Sequence, residues 1–136
     1  MAEEANSSIK IAGTAPVLLV EDVSMAVAYY CVILGFKLEF TQNEKYMGVF
    51  RDGVHVHLAA ANGAPLHSNR VAWTDAAETF RPADVNFFVS DVDALYGEFI
   101  AKGAKIDAPP TDQPYGVRDF QVSDLNGYML RFNQIL

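Results

Sequence analysis

The chain has 136 residues, of which 51% are hydrophobic, and its formal net charge is −7. This length allows one packed domain or two small halves that share a core, and the acidic balance with scattered basic residues argues against a nucleic-acid partner. The single cysteine, Cys31, excludes an intrachain disulfide and a cysteine zinc cluster.

The N-terminal residues 1–14 are predicted to form a polar tail. Glu3 and Glu4 stand where a secretion signal needs basic residues, and no stretch approaches the roughly 20 apolar residues of a membrane span. We therefore expect a soluble, cytoplasmic protein with no membrane partner.

Residues 15–60 predict a first βαβββ module. The run Val17–Val23 predicts a strand whose acidic end can cap a helix. That helix is expected over residues 24–34, ending before Gly35, since glycine readily adopts the left-handed conformation that closes helices. A short strand and a hairpin with its turn at Arg51–Gly53 complete the module.

Residues 83–136 repeat the same order of elements. Asn86–Val92 matches the first strand, a helix is expected over residues 93–102 before Gly103, and the turn at Leu125–Gly127 matches the first hairpin. The sequence therefore predicts an α+β fold in which two tandem βαβββ modules form a curved mixed sheet around a concave cleft.

Residues 61–82 separate the modules and form the predicted linker. This segment is too long for an ordinary connection, so we expect it either to cross between the modules or to lie over the cleft. They contain Trp73, the only tryptophan of the chain.

Short motifs stand in a fixed order along both halves. They are Val20–Val23 leading to Tyr30, Leu34–Phe36, Val89–Val92, Gly103–Ala104, Tyr115–Phe120 and Asp124–Tyr128. With this order and spacing, the chain from residue 15 to residue 133 resembles the vicinal oxygen chelate superfamily, which includes glyoxalases, bleomycin-resistance proteins and extradiol dioxygenases. Its closing segment, Asn126–Phe132, most resembles the metal-free bleomycin-resistance branch. The resemblance implies paired modules that curve into a cup, in a homodimer.

The resemblance also implies four inward-facing metal positions, which fall on Ala15, His57, Asp84 and Arg131. Ala15 has no donor atom and Arg131 is always protonated. The two remaining ligands are fewer than catalytic zinc or ferrous sites require, although His55 could add a third nitrogen. We expect no metal cofactor and an Asp84–Arg131 ion pair in its place; a Zn, Mn or Fe site is the alternative.

If those positions face inward, strand alternation predicts the cleft lining. The lining set is Val17, Leu19, His55, His57, Asp84, Asn86, Phe88, Met129, Arg131 and Asn133. The opposite set, expected under the helices, is Leu18, Val20, Val54, Val56, Val85, Phe87, Val89, Leu130 and Phe132. Tyr46, Trp73, Tyr115 and Arg118 come from loops or strand ends that could close over the cleft. Phe88 and Trp73 are the candidates for stacking on a ligand.

Two functions fit this cleft. The first is a metal-free binding protein that sequesters a small organic ligand, as the bleomycin-resistance branch does with cationic glycopeptide drugs; the acidic charge suits a basic ligand, although it also serves solubility. The alternative is a lyase, isomerase or ring-cleaving dioxygenase that holds a divalent metal at His57, Asp84 and His55. A metal-free enzyme would use His57 as general base and Arg131 to stabilise an oxyanion.

Overall fold

A computed structural model describes residues 8–68 and 82–136 of the chain. In these ranges the first module contains four strands and one helix, and the second module repeats this set. In chain order the elements are β1 (Val17–Val20), α1 (Val23–Val32), β2 (Lys37–Asn43), β3 (Tyr46–Arg51), β4 (Val54–Ala60), β5 (Val85–Phe88), α2 (Val92–Lys102), β6 (Lys105–Asp112), β7 (Val117–Ser123) and β8 (Met129–Ile135).

Each module forms its own four-stranded sheet. The strand order is β1-β4-β3-β2 in the first and β5-β8-β7-β6 in the second. In both sheets the first strand pairs in parallel with the last, and the other pairs are antiparallel. This is the predicted α+β arrangement of two βαβββ modules.

The two helices begin at equivalent caps. Asp22 accepts a 2.9 Å hydrogen bond from Met25 N, and Asp91 accepts a 3.1 Å bond from Ala94 N, so each carboxylate satisfies an amide that the first helical turn leaves free. Gly103 closes α2 in the left-handed conformation, with φ of 83°. Each helix begins one residue before the predicted start, and α1 ends two residues before its predicted end. Neither helix in the described ranges is long and apolar enough to span a membrane.

The two hairpins turn in different ways. Asp52 and Gly53 both have positive φ, 51° and 80°, which is the two-residue type I′ turn that the Asp-Gly pair predicts. In the second module the connection is longer, because Asp124 accepts hydrogen bonds of 2.9 Å from both Asn126 N and Tyr128 N. The carboxylate thereby organises the turn, and the expected two-residue Asn-Gly turn does not form.

Strand alternation places one continuous core beneath the helices. The buried strand residues include Leu18, Val20, Val56, Leu58, Phe87, Leu130 and Phe132. Val85 and Val89 pack against this core and are partly buried. The expectation for Val54 was wrong: its side chain is 39% exposed, because it lies beside the turn at the start of β4.

The modules are joined by contacts that each hairpin turn makes with the opposite module. Tyr30 of α1 donates to Asp124 before β8, over 2.7 Å. In the reverse direction, Arg51 at the end of β3 donates to Glu98 of α2, over 2.6 Å. Each hairpin is therefore anchored on the other module's helix.

Candidate functional site

The face of the first sheet that lies opposite α1, which we call its concave face, carries two histidines. His55 and His57 alternate on β4 with Val56 and Leu58, which are fully buried in the core. Both imidazoles therefore project from the sheet face opposite the helix and are half-buried there.

An aromatic cluster of Phe40, Tyr46 and His57 surrounds the second of these imidazoles. The Tyr46 hydroxyl lies 2.8 Å from His57 Nδ1. The Phe40 ring meets the His57 ring edge-on at 5.0 Å between centroids and stacks with Tyr46 at 6.1 Å. Gly48 lies beneath it, where an added Cβ would overlap the Phe40 ring. The cluster therefore requires glycine at this position.

A carboxylate adjoins the other imidazole. Glu39 Oε1 lies 2.9 Å from His55 Nδ1, and both side chains are about one-third exposed. The ring of Phe50 stacks against His55 at 6.3 Å. The concave face of the first sheet thus combines aromatic rings with one accessible carboxylate.

The concave face of the second sheet is more polar and more deeply buried. Met129, Arg131 and Asn133 alternate along β8 with the core residues and are each less than 9% exposed. Asn133 Nδ2 donates to Asn86 Oδ1 over 3.3 Å. Phe88, at the end of β5, is 68% exposed, so its ring is accessible for stacking.

The ion pair of this face does not have the expected acidic partner. Among the described residues, the carboxylate within 4 Å of the Arg131 guanidinium is Asp119, with 3.8 Å between Nε and Oδ2. Asp84 instead accepts from Ser68 Oγ over 2.7 Å and from Met129 N over 2.8 Å. Asp119 pairs with Asn133 across β7 and β8, while Arg131 pairs with Gln121, so Asp119 is a diagonal neighbour of Arg131 on the same face of the sheet.

Asp119 is only 2% exposed. Its Oδ1 accepts a 3.0 Å hydrogen bond from Gln113 Nε2. No hydrogen bond reaches Oδ2 from residues 8–68 or 82–136. The guanidinium of Arg131, with its Nε 3.8 Å from this oxygen, offsets part of the desolvation cost of the buried carboxylate.

The expectation that Arg118 closes over the cleft was wrong. Arg118 shares its side of β7 with the core residue Phe120, and its guanidinium pairs with Asp93 of α2 and with Asp112, each at 3.0 Å. It therefore belongs to the helix side. Tyr115 is exposed in the turn before β7, and Trp73 lies outside the described residues.

The implied metal positions do not fit a metal. The side chains of Ala15 and Arg131 supply no ligand atom. The carboxylate of Asp84 already accepts two hydrogen bonds. The Tyr46 hydroxyl lies within hydrogen-bond distance of His57 Nδ1. Across the described residues, no group of three or more His, Cys, Asp or Glu side chains is arranged to hold a metal ion.

Burial raises the pKa of the Cys31 thiol, which opposes a role as nucleophile.

Sequence reasoning missed Phe40, Glu39 and Asp119. Asp119 could have been found, because alternation along β7 places it opposite the core residues Phe120 and Val122. Phe40 and Glu39 lie on β2, where the pairing with β3 shifts register between Leu38 and Phe40. A bulge of this kind changes which side chains share a face, and simple alternation does not detect it.

The sequence of the chain decides its family. The model of the Glyoxalase/Bleomycin resistance protein/Dioxygenase superfamily matches residues 11–132. The chain belongs to this superfamily. A comparison with curated proteins finds no match.

Several solved structures share the fold. TioX from Micromonospora sp. ML1 is 26% identical, with a TM-score of 0.67 over 92% of this chain and 97% of that chain. The bleomycin-binding protein from bleomycin-producing Streptomyces verticillus, solved with copper(II)-bleomycin, is 28% identical, with a TM-score of 0.66 over 91% and 96%. A glyoxalase-related enzyme from Clostridium phytofermentans, at 18% identity and a TM-score of 0.72 over 96% and 100%, shows the fold alone. The first two are consistent with the bleomycin-resistance-like branch.

Proposed function

We propose that the protein binds a small organic cation on its concave faces and sequesters it without a metal and without chemical turnover. The observation that carries this proposal is the aromatic cluster of Phe40, Tyr46 and His57. Aromatic faces attract cations through the ring quadrupole. They also stack on planar ligand groups.

Charge on the first sheet supports a cationic ligand. Glu39 adjoins the cluster there and is about one-third exposed. The similarity to a bleomycin-binding protein supports the same ligand class, an antibiotic-like organic cation.

We infer further that the cup is completed in a homodimer located in the cytoplasm. Among the described residues, the modules meet at α1, α2 and the hairpin turns, at the Leu19 carbonyl and in the ring contact of Phe36 with Phe87, and none of these contacts joins side chains of the two concave faces. Exposed apolar residues on these faces, Val17, Leu19 and Phe88, would be covered by a second copy. Light scattering of the purified chain tests the dimer.

The decisive experiment titrates the protein with metal-free bleomycin and with benzyltrimethylammonium by calorimetry. We expect saturable binding of one of them, weakened at least tenfold in Phe40→Ala or His57→Ala. Arg118→Ala, on the helix side, is the matched control and should bind as the wild type does. Wild-type affinity in both concave-face variants would contradict the proposal.

Elemental analysis of freshly purified protein separates this function from the metalloenzyme alternative. The proposal expects no stoichiometric Zn, Mn or Fe, including after incubation with each ion. One bound equivalent, lost in His57→Ala, would instead favour a metal-dependent lyase, isomerase or dioxygenase.

A further inference from the structure

The repeated modules create two equivalent clefts on the side of the molecule away from the concave faces. Each cleft lies between the first strand and helix of one module and the hairpin of the other. The residue directly after the turn glycine stands at the mouth of each cleft. It is Tyr128 in one cleft and Val54 in the other.

The first cleft is closed by tyrosine side chains. Tyr128 is only 4% exposed, and its hydroxyl donates to the Leu19 carbonyl over 2.6 Å. Tyr29 and Tyr30 of α1 donate to Ser123 O over 3.1 Å and to Asp124 over 2.7 Å. Three phenols therefore fill this space and satisfy their own hydroxyls.

The second cleft has Val54, Glu98 and Phe99 at the places of Tyr128, Tyr29 and Tyr30. It remains open as a cavity of about 510 Å³, within the usual range of small-molecule sites. Its apolar lining includes Val54, Phe87, Phe88, Leu95 and Phe99.

A backbone acceptor in the second cleft matches the one that Tyr128 uses. Val89 N donates to Asn133 O over 2.8 Å, so Val89 faces the neighbouring strand β8. Because consecutive residues of a strand face opposite edges, the Phe88 carbonyl points to the free edge of β5. The Leu19 carbonyl is placed in the same way on β1, where Val20 O accepts from Ala61 N.

The lining of the second cleft is acidic on balance. It carries the guanidinium of Arg51 and the carboxylates of Asp52, Asp91 and Glu98. Arg51 donates to both carboxylate oxygens of Glu98, over 2.6 and 3.0 Å, and this hydrogen bond lowers the pKa of Glu98. Because the lining keeps a net negative charge, it opposes an anionic ligand such as a phenolate and accepts a neutral phenol.

We propose that this cavity is a second binding site, which takes a neutral phenol of one or two rings. The ring occupies the space that Tyr128 fills in the equivalent cleft, and the hydroxyl donates to the Phe88 carbonyl. The site shares Phe88 with the concave face of the second sheet, but its other lining residues lie elsewhere, and it does not depend on the function proposed for the concave faces.

The test uses p-cresol, which is the tyrosine side chain as a free molecule. Titration followed by two-dimensional NMR should shift the amides of Val54, Val89 and Leu95 in a saturable manner. Toluene, which has the ring without the hydroxyl, should bind roughly fivefold more weakly, the value of one ordinary hydrogen bond. Equal affinities would refute the contact with Phe88.

Two substitutions fill the cavity from within. Val54→Tyr and Val54→Phe should each abolish p-cresol binding, and the tyrosine variant should raise the melting temperature by several degrees because it restores the contact of the first cleft. The phenylalanine variant keeps the test valid if the tyrosine variant does not fold. Val54→Thr, of equal volume, and His57→Ala, on the concave face, should bind p-cresol as the wild type does. Unchanged binding in both filling variants, or shifts confined to the concave faces, would overturn the proposal.

Discussion

The hydroxyl of Tyr30 donates a 2.7 Å hydrogen bond to Asp124 across the boundary between the two modules. Both groups are buried. Burial raises the pKa of Asp124, and burial together with the nearby carboxylate raises the pKa of Tyr30 well above its usual value. The same carboxylate accepts the two amides that form the turn before β8, so this bond links α1 to the second hairpin.

Tyr30→Phe should destabilise the protein by about 1.5 to 3 kcal/mol, because it removes a hydrogen bond to a buried carboxylate and leaves that oxygen without its donor. Tyr29→Phe, which removes a hydrogen bond to a backbone carbonyl at a more accessible position, should cost about 1 kcal/mol. Urea denaturation of both variants gives the comparison. A smaller loss for Tyr30→Phe than for Tyr29→Phe would contradict the role assigned to Asp124.

The Arg51–Glu98 pair makes stability depend on pH. The pKa of Glu98 is lowered in the folded protein, so its contribution is present above the unfolded pKa of the group and is lost as pH falls through the folded pKa. Glu98→Gln should therefore cost less than about 1 kcal/mol at pH 7, since the pair is partly exposed, and should cost less at pH 3 than at pH 7. The measurement is the difference in unfolding free energy at both pH values. A constant difference would rule out the charge as its cause.

Gly48→Ala should disrupt the aromatic cluster, because the new methyl group would overlap the Phe40 ring. We expect a loss of about 1 to 3 kcal/mol, as in overpacked cores, and weaker ligand binding on the first sheet. Gly97→Ala is the control. Gly97 lies inside α2 with no atom within 4 Å of its added methyl, and alanine there should stabilise the protein by up to about 1 kcal/mol.

Arg131→Met should cost about 3 to 5 kcal/mol, because it leaves Asp119 as a buried charge without its cation. The double variant Asp119→Asn with Arg131→Met should recover part of this loss, since neither charge then remains buried. A double-mutant cycle measures the coupling. Strictly additive effects would show that the two charges do not interact.

The fold could be predicted from the sequence because its signals are local and occur twice. Asp22 and Asp91 cap their helices as expected, and Asp52–Gly53 forms its type I′ turn. The second turn departed from its Asn-Gly signal, because the side chain of Asp124 competes for the backbone amides of that turn.

The candidate site could be predicted only in part. Alternation placed His57 and Arg131 on strand faces opposite the core. It could not provide the partner of Arg131, because that depends on the register between β7 and β8, and it could not find Phe40 beyond the irregularity in β2. Distances between strands are set by pairing, which composition and periodicity do not contain.

The exchange of hairpins between the modules also makes the two repeats depend on each other. Tyr30 and Asp124 are 94 positions apart in the chain, yet a change in either one alters the environment of the other. A substitution in one module must therefore be compatible with the opposite module, and neither half can be redesigned as an independent unit.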